Sequence, residues 1–297
     1  PLPSLAQDDI FKLLADAGIN YITDNGLSYA GAEKESAQRV LRLAAKYGIN
    51  YMLQTPDIFS IGVSTGTQSV NGNTQHIYAP NVVTTYPSNK AMLDELTQYA
   101  SFGGSFLRAE PGSDLFEAIR DARTAVKQYN AANGTAVNVF ANLLPGVGAF
   151  RWTNGKTPPG GYTISKWQDY VECFEGVTDF DYLMFDMYPF AGGEGVIEGV
   201  FIEYASRLAT IAKNTGKMWM GCVQVGGGDV AYSGKRVCNE NEMNWDVNVL
   251  LAMGAKGLNY YTLVSAPYLG GTVEPTDPGY TDHSLLTTRG EKTNYYD

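Results

Sequence analysis

The chain has 297 residues, of which 44% are hydrophobic and 18% charged, and its formal net charge at pH 7 is −10. The length suits one large α/β domain or two small ones, and the composition is that of a globular protein with a sizeable core. The acidic balance, without any Lys/Arg cluster that could follow a phosphate backbone, argues against nucleic acid as a partner. No run of about 18 uncharged apolar residues occurs, so we expect no membrane-spanning helix.

The cysteines and histidines offer little for metal or triad chemistry. The three cysteines, Cys173, Cys222 and Cys238, are an odd number and cannot form a complete set of intrachain disulfides. The two histidines, His76 and His283, lie far apart, and no Cys-x-x-Cys occurs. We therefore expect no zinc centre, no Ser/His/Asp triad and no cofactor. Cys222 lies in an apolar strand pattern and is expected to be a small buried hydrophobe.

A repeated unit organises the chain: an amphipathic helix ends in small residues, often glycine, and a short strand follows at once. Gly18 and Gly48 each stand directly before an Ile-Asn-Tyr tripeptide, and glycine suits the left-handed position that ends a helix. In chain order, the predicted helices are about residues 7–17, 33–47, 89–101, 114–131, 164–175, 198–215 and 240–254. The predicted strands are about residues 19–24, 49–55, 104–109, 137–143, 181–187, 218–224 and 258–263. These strands are apolar runs, as expected of a parallel sheet covered by helices.

This alternation predicts an α/β fold, a TIM barrel of the (β/α)8 type, as one domain over residues 1–297. Seven strands are visible, so the first of eight would lie upstream of Pro1, within Pro1–Leu5, or be supplied from elsewhere. Ser284–Asp297 is too short for a complete last helix, so we expect a piece of a longer polypeptide or a trimmed chain. The alternative is a doubly wound open sheet, which is disfavoured because no phosphate-binding glycine motif follows a strand.

Four long connections distinguish one end of the predicted sheet from the other. They are residues 59–88, 144–163, 226–239 and 265–282, and all four follow strands, whereas the connections after helices are short. Long connections without secondary structure of their own usually carry function. The sequence therefore predicts that the functional site lies at the carboxyl ends of the strands.

Polar residues at those predicted strand ends form one set, rich in carboxylates, amides and phenols and almost free of cations. The set consists of Asp24, Gln54, Asp57, Glu110, Asn142, Asp186, Tyr188, Gln224, Tyr260 and Tyr261. A phosphorylated or carboxylated substrate would call for Arg or Lys, so a neutral polyol fits better. Paired carboxylates beside amides and aromatic faces are what glycoside hydrolysis requires.

Glu110 is the main candidate for an acid/base residue. It follows an apolar strand pattern at 105–109, and Pro111 prevents that strand from continuing because proline has no N–H to donate. The alternative is that Glu110 caps the next helix or pairs with Arg108. For the second carboxylate we favour Asp186, while Glu240 and Glu242 at the start of a later helix are alternatives.

Several segments resemble the landmarks of glycoside-hydrolase-type TIM barrels, distantly similar to the large retaining clan of β-galactosidases and endo-glycanases. They are Phe102–Pro111, Asp186–Pro189, Gln224, Glu242–Trp245 and Ala252–Gly257. The resemblance implies that Glu110 follows the fourth strand as the general acid/base, and that Tyr188 supports the nucleophile. Two positions depart from the clan pattern. Ala109 replaces an Asn, and Gln224 stands at the end of the seventh strand, where the clan has its nucleophilic Glu.

We therefore predict a hydrolase of glycosidic bonds, with Glu110 and Asp186 as the catalytic residues. The predicted substrate contacts are Tyr188, Gln224, Asn142, Trp152, Tyr260 and Asp24. The alternative is a non-catalytic glycan-binding barrel that has lost the usual nucleophile. A third possibility is a metal-dependent lyase or isomerase, which would need Asp24, Asp57 and Asp186 to converge. We expect a carbohydrate partner and a bacterial protein that is secreted or held at the cell envelope. The sugar, its linkage and the oligomeric state are not predicted.

Overall fold

A computed structural model of the chain describes residues 6–23, 29, 31–53, 63–70, 73–79, 90–146, 152–190, 198–225, 238–263, 284–287, 290–293 and 296. These residues fall into two compact units, an N-terminal unit, Ala6–Phe180, and a C-terminal unit that begins at Asp181. Both units are built from helices that alternate with parallel strands. Among the described helices, none combines the length and the apolar character needed to cross a bilayer.

The N-terminal unit contains a four-stranded parallel sheet with the order β1-β2-β5-β6. Its strands are β1 (Tyr21–Thr23), β2 (Asn50–Leu53), β3 (Val63–Val70), β4 (Asn73–Ala79), β5 (Phe102–Ala109) and β6 (Asn138–Asn142). Its helices are α1 (Asp8–Asp16), α2 (Lys34–Lys46), α3 (Lys90–Leu96), α4 (Phe116–Asn133) and α5 (Trp167–Thr178). Short 3-10 turns occur at Gly31–Glu33, Ser113–Leu115 and Pro159–Gly161.

The C-terminal unit contains a three-stranded parallel sheet with the order β7-β8-β9. Its elements are β7 (Tyr182–Phe185), α6 (Glu198–Thr215), β8 (Met218–Gln224), α7 (Glu240–Ala252) and β9 (Gly257–Tyr261). The register pairs Gln224 with Tyr261, the last residues of β8 and β9. Because parallel strands end on the same side, polar residues at these ends are brought to one edge of this sheet.

Aromatic clusters fill the interior of each unit. In the N-terminal unit, Phe116 on α4 packs edge-on against Phe174 on α5, with ring centroids 5.1 Å apart. In the C-terminal unit, Phe201 on α6 contacts both Phe185 on β7 and Trp245 on α7. These rings bury large apolar areas between helices and sheet, which is the main stabilising contribution available to such layers.

Helix ends follow the local sequence. Helix α4 ends at Gly134, which has a φ of 66° and donates its N–H to the Asn130 carbonyl oxygen, as a left-handed C-cap does. Helix α7 begins with a capping box, in which Asn239 Oδ1 accepts from the Glu242 N–H and Glu242 Oε2 accepts from the Asn239 N–H. These reciprocal bonds satisfy two backbone donors that the first turn of a helix leaves without partners.

The predicted elements are confirmed, and the α/β fold with them. All seven predicted strands are present, and the helices agree to within a few residues, except that α3 is shorter than predicted. The described residues give four plus three parallel strands in two separate sheets, so a complete eight-stranded barrel is not shown. The predicted position of a first strand, Pro1–Leu5, lies outside the described residues.

One predicted connection holds an unexpected element. Residues 59–88 were expected to lack secondary structure, but β3 and β4 form an antiparallel hairpin with Val70 opposite Asn73. The two intervening residues are Asn71 and Gly72 in the sequence, the pair most favoured in two-residue hairpin loops. Polar composition had masked this signal.

The three cysteines are free thiols, and all are buried. Cys222 on β8 is 3% exposed, which confirms the expectation that it packs as a small core residue. Cys173 lies in the N-terminal unit, whereas Cys222 and Cys238 lie in the C-terminal unit.

Gly104 on β5 provides a test of the sheet packing. Its φ is 134°, and a Cβ there would collide with the carbonyl oxygen of Asn138 on β6. We expect Gly104→Ala to lower the free energy of unfolding by about 2–4 kcal/mol, measured by urea titration. The control is Gly199→Ala on α6, where the added methyl group meets nothing within 4 Å. That change should raise stability by at most about 1 kcal/mol. Equal effects of the two variants would contradict the packing described here.

Candidate active site

Glu110 occupies an unusual backbone position directly after β5. Its φ is 49°, in the left-handed region, and its N–H donates to the Asn142 carbonyl oxygen over 3.0 Å. Asn and Asp accept this conformation more readily than Glu does, and the strain for other residues is on the order of 1–3 kcal/mol. A glutamate in this position is therefore not explained by backbone preference. Its side chain is half-exposed at the end of the strand.

The turn after Glu110 is fixed by two further contacts. The Tyr170 hydroxyl on α5 donates to the Pro111 carbonyl oxygen over 2.6 Å. Asp114 Oδ1 accepts from Asn154 Nδ2 at 2.8 Å, and Lys156 Nζ lies 3.7 Å from Asp114 Oδ2. Burial raises the pKa of the Asp114 carboxyl, and the contacts with Asn154 and Lys156 partly oppose that shift. The turn after Glu110 is thus held by Tyr170 through Pro111 and by Asn154 and Lys156 through Asp114.

Gly112 lies where these contacts meet. A Cβ at this position would lie 2.5 Å from Asn154 Nδ2 and 2.6 Å from Asp114 Oδ1. The chain therefore passes very close to the Asn154–Asp114 pair, and a side chain at position 112 would shift the ends of these two side chains.

Asn142 and Trp152, both predicted substrate contacts, lie within the same unit as Glu110. Asn142 is the last residue of β6, is 7% exposed, and supplies the carbonyl that fixes Glu110. Trp152 is buried and stacks on Tyr170, with ring centroids 6.3 Å apart. These contacts are those of a residue that anchors its loop. The substrate roles of both residues remain predictions.

Asp186 and Tyr188 follow β7 in the C-terminal unit. Asp186 is 8% exposed, and the ring of Tyr188 lies 5.5 Å from that of Tyr261 at the end of β9. Desolvation raises the pKa of Tyr188 well above its ordinary value, and the neighbouring Cys222, Asp186 and Tyr261 add to the shift. Desolvation likewise raises the pKa of the Cys222 thiol, and Asp186 adds to it. Both groups therefore stay protonated at neutral pH, beside a carboxylate.

The two tyrosines of β9 differ in exposure. Tyr260, the predicted substrate contact, is half-buried. Burial raises its pKa, and the negative charge of Asp246 adds to the shift. Tyr261 is 44% exposed and contacts Tyr188. Of the two rings, Tyr261 thus offers the more solvent-exposed aromatic surface, beside Tyr188, while the substrate role of Tyr260 stays a prediction.

Gln224 ends β8 and is almost fully buried, at 1% exposed. Its amide forms two hydrogen bonds with the backbone of Phe190: Oε1 accepts from the Phe190 N–H at 3.0 Å, and Nε2 donates to the Phe190 carbonyl oxygen at 3.1 Å. The sequence predicted Gln224 as a substrate contact. That role stays a prediction, and the two hydrogen bonds with the Phe190 backbone also support a positioning role for this amide.

Asp246 on α7 was missed by sequence reasoning. Its side chain is completely buried, and Oδ2 accepts from the Gln224 N–H at 2.9 Å. Within the described part of the chain, Oδ1 has no hydrogen-bonding partner. Burial raises the pKa of this carboxyl to about 7, and the Gln224 N–H opposes the shift. Its signal in the sequence was its place on the buried stripe of the helix, four residues before Leu250.

The remaining sequence candidates separate into two groups. Glu242 caps α7 through its own carboxylate, which accounts for a glutamate at that position without a catalytic role. Asp24, Gln54 and Asp57 lie outside the described residues, as do most of the predicted long connections at 226–239 and 265–282.

The fold can now be compared with known proteins. No protein-family model and no curated protein matches the sequence. A GH5_18 protein of Bifidobacterium longum in complex with Manβ1-4GlcNAc has a TM-score of 0.51 at 13% identity, covering 97% of this chain and 70% of that one. The GH99 endo-α-mannosidase of Bacteroides thetaiotaomicron has a TM-score of 0.52 at 14% identity, covering 87% and 66%.

A third structure, the β-galactosidase of the psychrophile Marinomonas ef1, gives a TM-score of 0.56 at 10% identity. The match covers 97% of this chain but only 55% of that enzyme, so the chain spans about half its length. At these identities the likeness concerns the fold alone. The resemblance to glycoside hydrolases that the sequence motifs indicated is confirmed at that level.

The strain at Glu110 can be tested by stability alone. We expect Glu110→Asn to leave the free energy of unfolding unchanged or raise it by up to about 1 kcal/mol, because Asn tolerates a positive φ. Urea titration measures the change. The matched control is Glu117→Asn on the exposed face of α4, where Asn is the poorer helix former and should cost about 0.5 kcal/mol. A clear loss of stability in Glu110→Asn would show that the glutamate serves the fold.

The buried Asp246 carboxyl predicts a pH dependence of stability. Its folded-state pKa, about 7, lies above the ordinary value of 3.8, so between these values the folded protein holds a proton that the unfolded chain has released. This stabilising effect is present at low pH and is lost as pH rises through about 7. The free energy of unfolding of Asp246→Asn should therefore rise relative to that of the parent by roughly 2–4 kcal/mol between pH 4 and pH 8.

The control for this measurement is Asp8→Asn. Hydrogen bonds from Lys46 and Tyr47 lower the pKa of Asp8, so it is ionised in both folded and unfolded states above pH 5. The difference in unfolding free energy between Asp8→Asn and the parent should be flat from pH 5 to pH 8. A flat difference for Asp246→Asn over the same range would contradict the assignment.

Proposed function

We propose that this chain is a glycoside hydrolase, in which Glu110 acts as general acid/base on the O-glycosidic bond of an oligo- or polysaccharide. One observation carries the proposal: a glutamate is held in a left-handed conformation at the carboxyl end of a parallel strand, tied to the neighbouring strand end at Asn142. Barrel enzymes keep their catalytic groups at that end. The likeness to glycoside hydrolase structures supports the same chemistry.

The proposed reaction uses two carboxyl groups. Glu110, protonated, donates its proton to the glycosidic oxygen as the bond from that oxygen to the anomeric carbon breaks. Asp186, ionised, either attacks the anomeric carbon or removes a proton from an attacking water molecule. In the first case Glu110 then activates the water that releases the sugar. A separation of about 5 Å between the two carboxyl groups gives retention, and about 6.5–9.5 Å gives inversion, so the anomer of the first product identifies the route.

The substrate surface is proposed from the remaining strand-end residues. The Tyr188 hydroxyl, kept protonated by burial, can donate a hydrogen bond, and the exposed Tyr261 ring beside it can stack on a sugar face. The other proposed contacts are Asn142, Trp152, Tyr260 and Asp24. The proposed fold is a (β/α)8 barrel, and the protein is proposed to be secreted or held at the cell envelope. Because two of the similar structures are named for different sugars, a substrate screen should include mannosides and galactosides.

A glycan-binding domain without hydrolysis is the second candidate. It is favoured by Gln224, whose amide is engaged with the Phe190 backbone at the strand end where the retaining clan has its nucleophile. The measurement is oligosaccharide binding by calorimetry, with hydrolysis followed in parallel. Equal binding by the parent and Glu110→Gln, with no hydrolysis by either, would replace the first candidate with this one.

The role of Glu110 as general acid predicts a dependence on the leaving group. Glu110→Gln should lower kcat/KM for glycosides with poor leaving groups, such as an alkyl or sugar alcohol, by about 10²–10⁴-fold. Dinitrophenyl glycosides need no proton at the leaving oxygen, so their cleavage should fall much less. Steady-state kinetics with both substrate classes measures the difference.

Glu117→Gln is the matched control, because Glu117 is exposed on α4 and pairs with Arg120. It should leave both substrate classes unaffected. Equal losses for good and poor leaving groups in Glu110→Gln would refute a general acid and would assign Glu110 to substrate binding or folding.

A further inference from the structure

We propose that Asp246 is a positioning residue, which holds the segment Asp186–Phe190 in place through Gln224. The inference rests on the proposed function, since it is the proposed function that gives Asp186 and Tyr188 their part in hydrolysis. The three connected residues, Asp246, Gln224 and Phe190, are called the relay below.

The first link of the relay joins helix α7 to the end of strand β8. Asp246 Oδ2 accepts from the Gln224 N–H at 2.9 Å, and both side chains are buried. The Gln224 carbonyl oxygen accepts from the Cys238 thiol at 2.8 Å. Both backbone groups of the last β8 residue are therefore engaged, and its main chain is fixed.

The second link joins Gln224 to the segment after β7. The Gln224 amide both accepts from the Phe190 N–H and donates to the Phe190 carbonyl oxygen. Two bonds with opposite polarity define the position and the orientation of this backbone unit, as a neighbouring strand would. Phe190 lies four residues after Asp186 and two after Tyr188, so the far end of the segment that carries them is anchored.

A third contact also joins helix α7 to Phe190. The ring of Phe190 packs edge-on against Trp245, with centroids 6.1 Å apart. Trp245 is the neighbour of Asp246 on α7. One turn of one helix thus holds Phe190 twice, by its side chain directly and by its backbone through Gln224.

Stability does not account for a carboxyl group at position 246. A fully buried carboxyl group with one oxygen unpartnered among the described residues is costly to remove from water, and the bond it accepts from the Gln224 N–H offsets only part of that cost. What the carboxylate provides is an acceptor at the Gln224 N–H, at the point where the strand ladder ends. This favours a role in fixing geometry at the site, where local costs of this kind are tolerated.

The test combines kinetics with hydrogen exchange. Asp246→Leu, which removes the acceptor at similar volume, should lower kcat by about 10–100-fold with KM little changed, because the reacting groups are displaced while the rest of the site remains. Asp246→Asn keeps an acceptor and should retain most of the activity. Gln224→Met should reproduce Asp246→Leu, and it serves as the second variant if Asp246→Leu fails to fold.

The variant Gln224→Glu distinguishes a positioning role of Gln224 in the relay from the alternative that Gln224 merely replaces a lost nucleophile. A carboxylate cannot donate to the Phe190 carbonyl oxygen, so the relay predicts a loss of activity. A gain of activity would instead restore the catalytic residue of the retaining clan, and it would overturn the relay.

Amide exchange across residues 186–190, followed by mass spectrometry, does not depend on hydrolysis. It should quicken about tenfold or more in Asp246→Leu and Gln224→Met and stay unchanged in Asp246→Asn. The control is Ser101→Ala, which removes a buried hydrogen bond to the Leu41 carbonyl oxygen in the N-terminal unit. It should affect neither kcat nor exchange at 186–190.

The outcomes separate this inference from the proposed function. If the parent hydrolyses no glycoside but exchange quickens as stated, the proposed function fails and the positioning of the segment stands. If exchange is unchanged in both apolar variants, or if it quickens without any loss of kcat in an active parent, the positioning role is overturned.

Discussion

The ends of parallel strands impose the constraint on which the rest of this structure depends. Beyond the last ladder bond, each strand end presents backbone N–H and C=O groups that must find partners within the protein. In the N-terminal unit, the Asn142 carbonyl oxygen accepts a hydrogen bond from the Glu110 N–H. Glu110 makes this bond with its backbone in the left-handed region. The bond that completes the ladder is thus also the bond that places the candidate acid.

The C-terminal unit meets the same constraint with side chains. The N–H of Gln224 is satisfied by Asp246, and the backbone of Phe190 by the amide of Gln224. Both arrangements lower stability locally, the first through backbone strain and the second through burial of a carboxyl group. Such costs concentrate at functional sites, where the rest of the fold over-determines the geometry. Two independent costs, each at the carboxyl end of a strand in its own sheet, are more informative than any one residue type.

The fold was readable from the sequence because its signals are local and repeated. The Gly18 and Gly48 units, each followed by an apolar strand, predicted helices and strands that the structure confirms to within a few residues. The placement of Glu110 directly after a strand could be predicted from a local signal as well, because Pro111 ends the apolar strand pattern. The Asn71-Gly72 pair was also a local signal, but it was outweighed by the polar composition around it.

What the sequence could not reveal are contacts between distant segments. The Gln224–Phe190 pair spans 34 residues, and the Asp246–Gln224 bond spans 22, so neither has a periodicity or motif. An amide at a strand end looks equally suited to bind a sugar or a backbone, and the choice between Tyr260 and Tyr261 depends on which ring meets Tyr188. Catalytic roles in the site remain predictions for the same reason: they depend on geometry between groups rather than on residue types.

The distribution of thiols has a practical consequence for following how the molecule opens. Burial raises the pKa of Cys173 to about 12, so this thiol is almost entirely unreactive until the N-terminal unit opens around it. Cys222 and Cys238 are likewise buried, in the C-terminal unit. Alkylation followed by peptide mapping would therefore report the opening of each unit separately and reveal whether the two lose structure together or in turn.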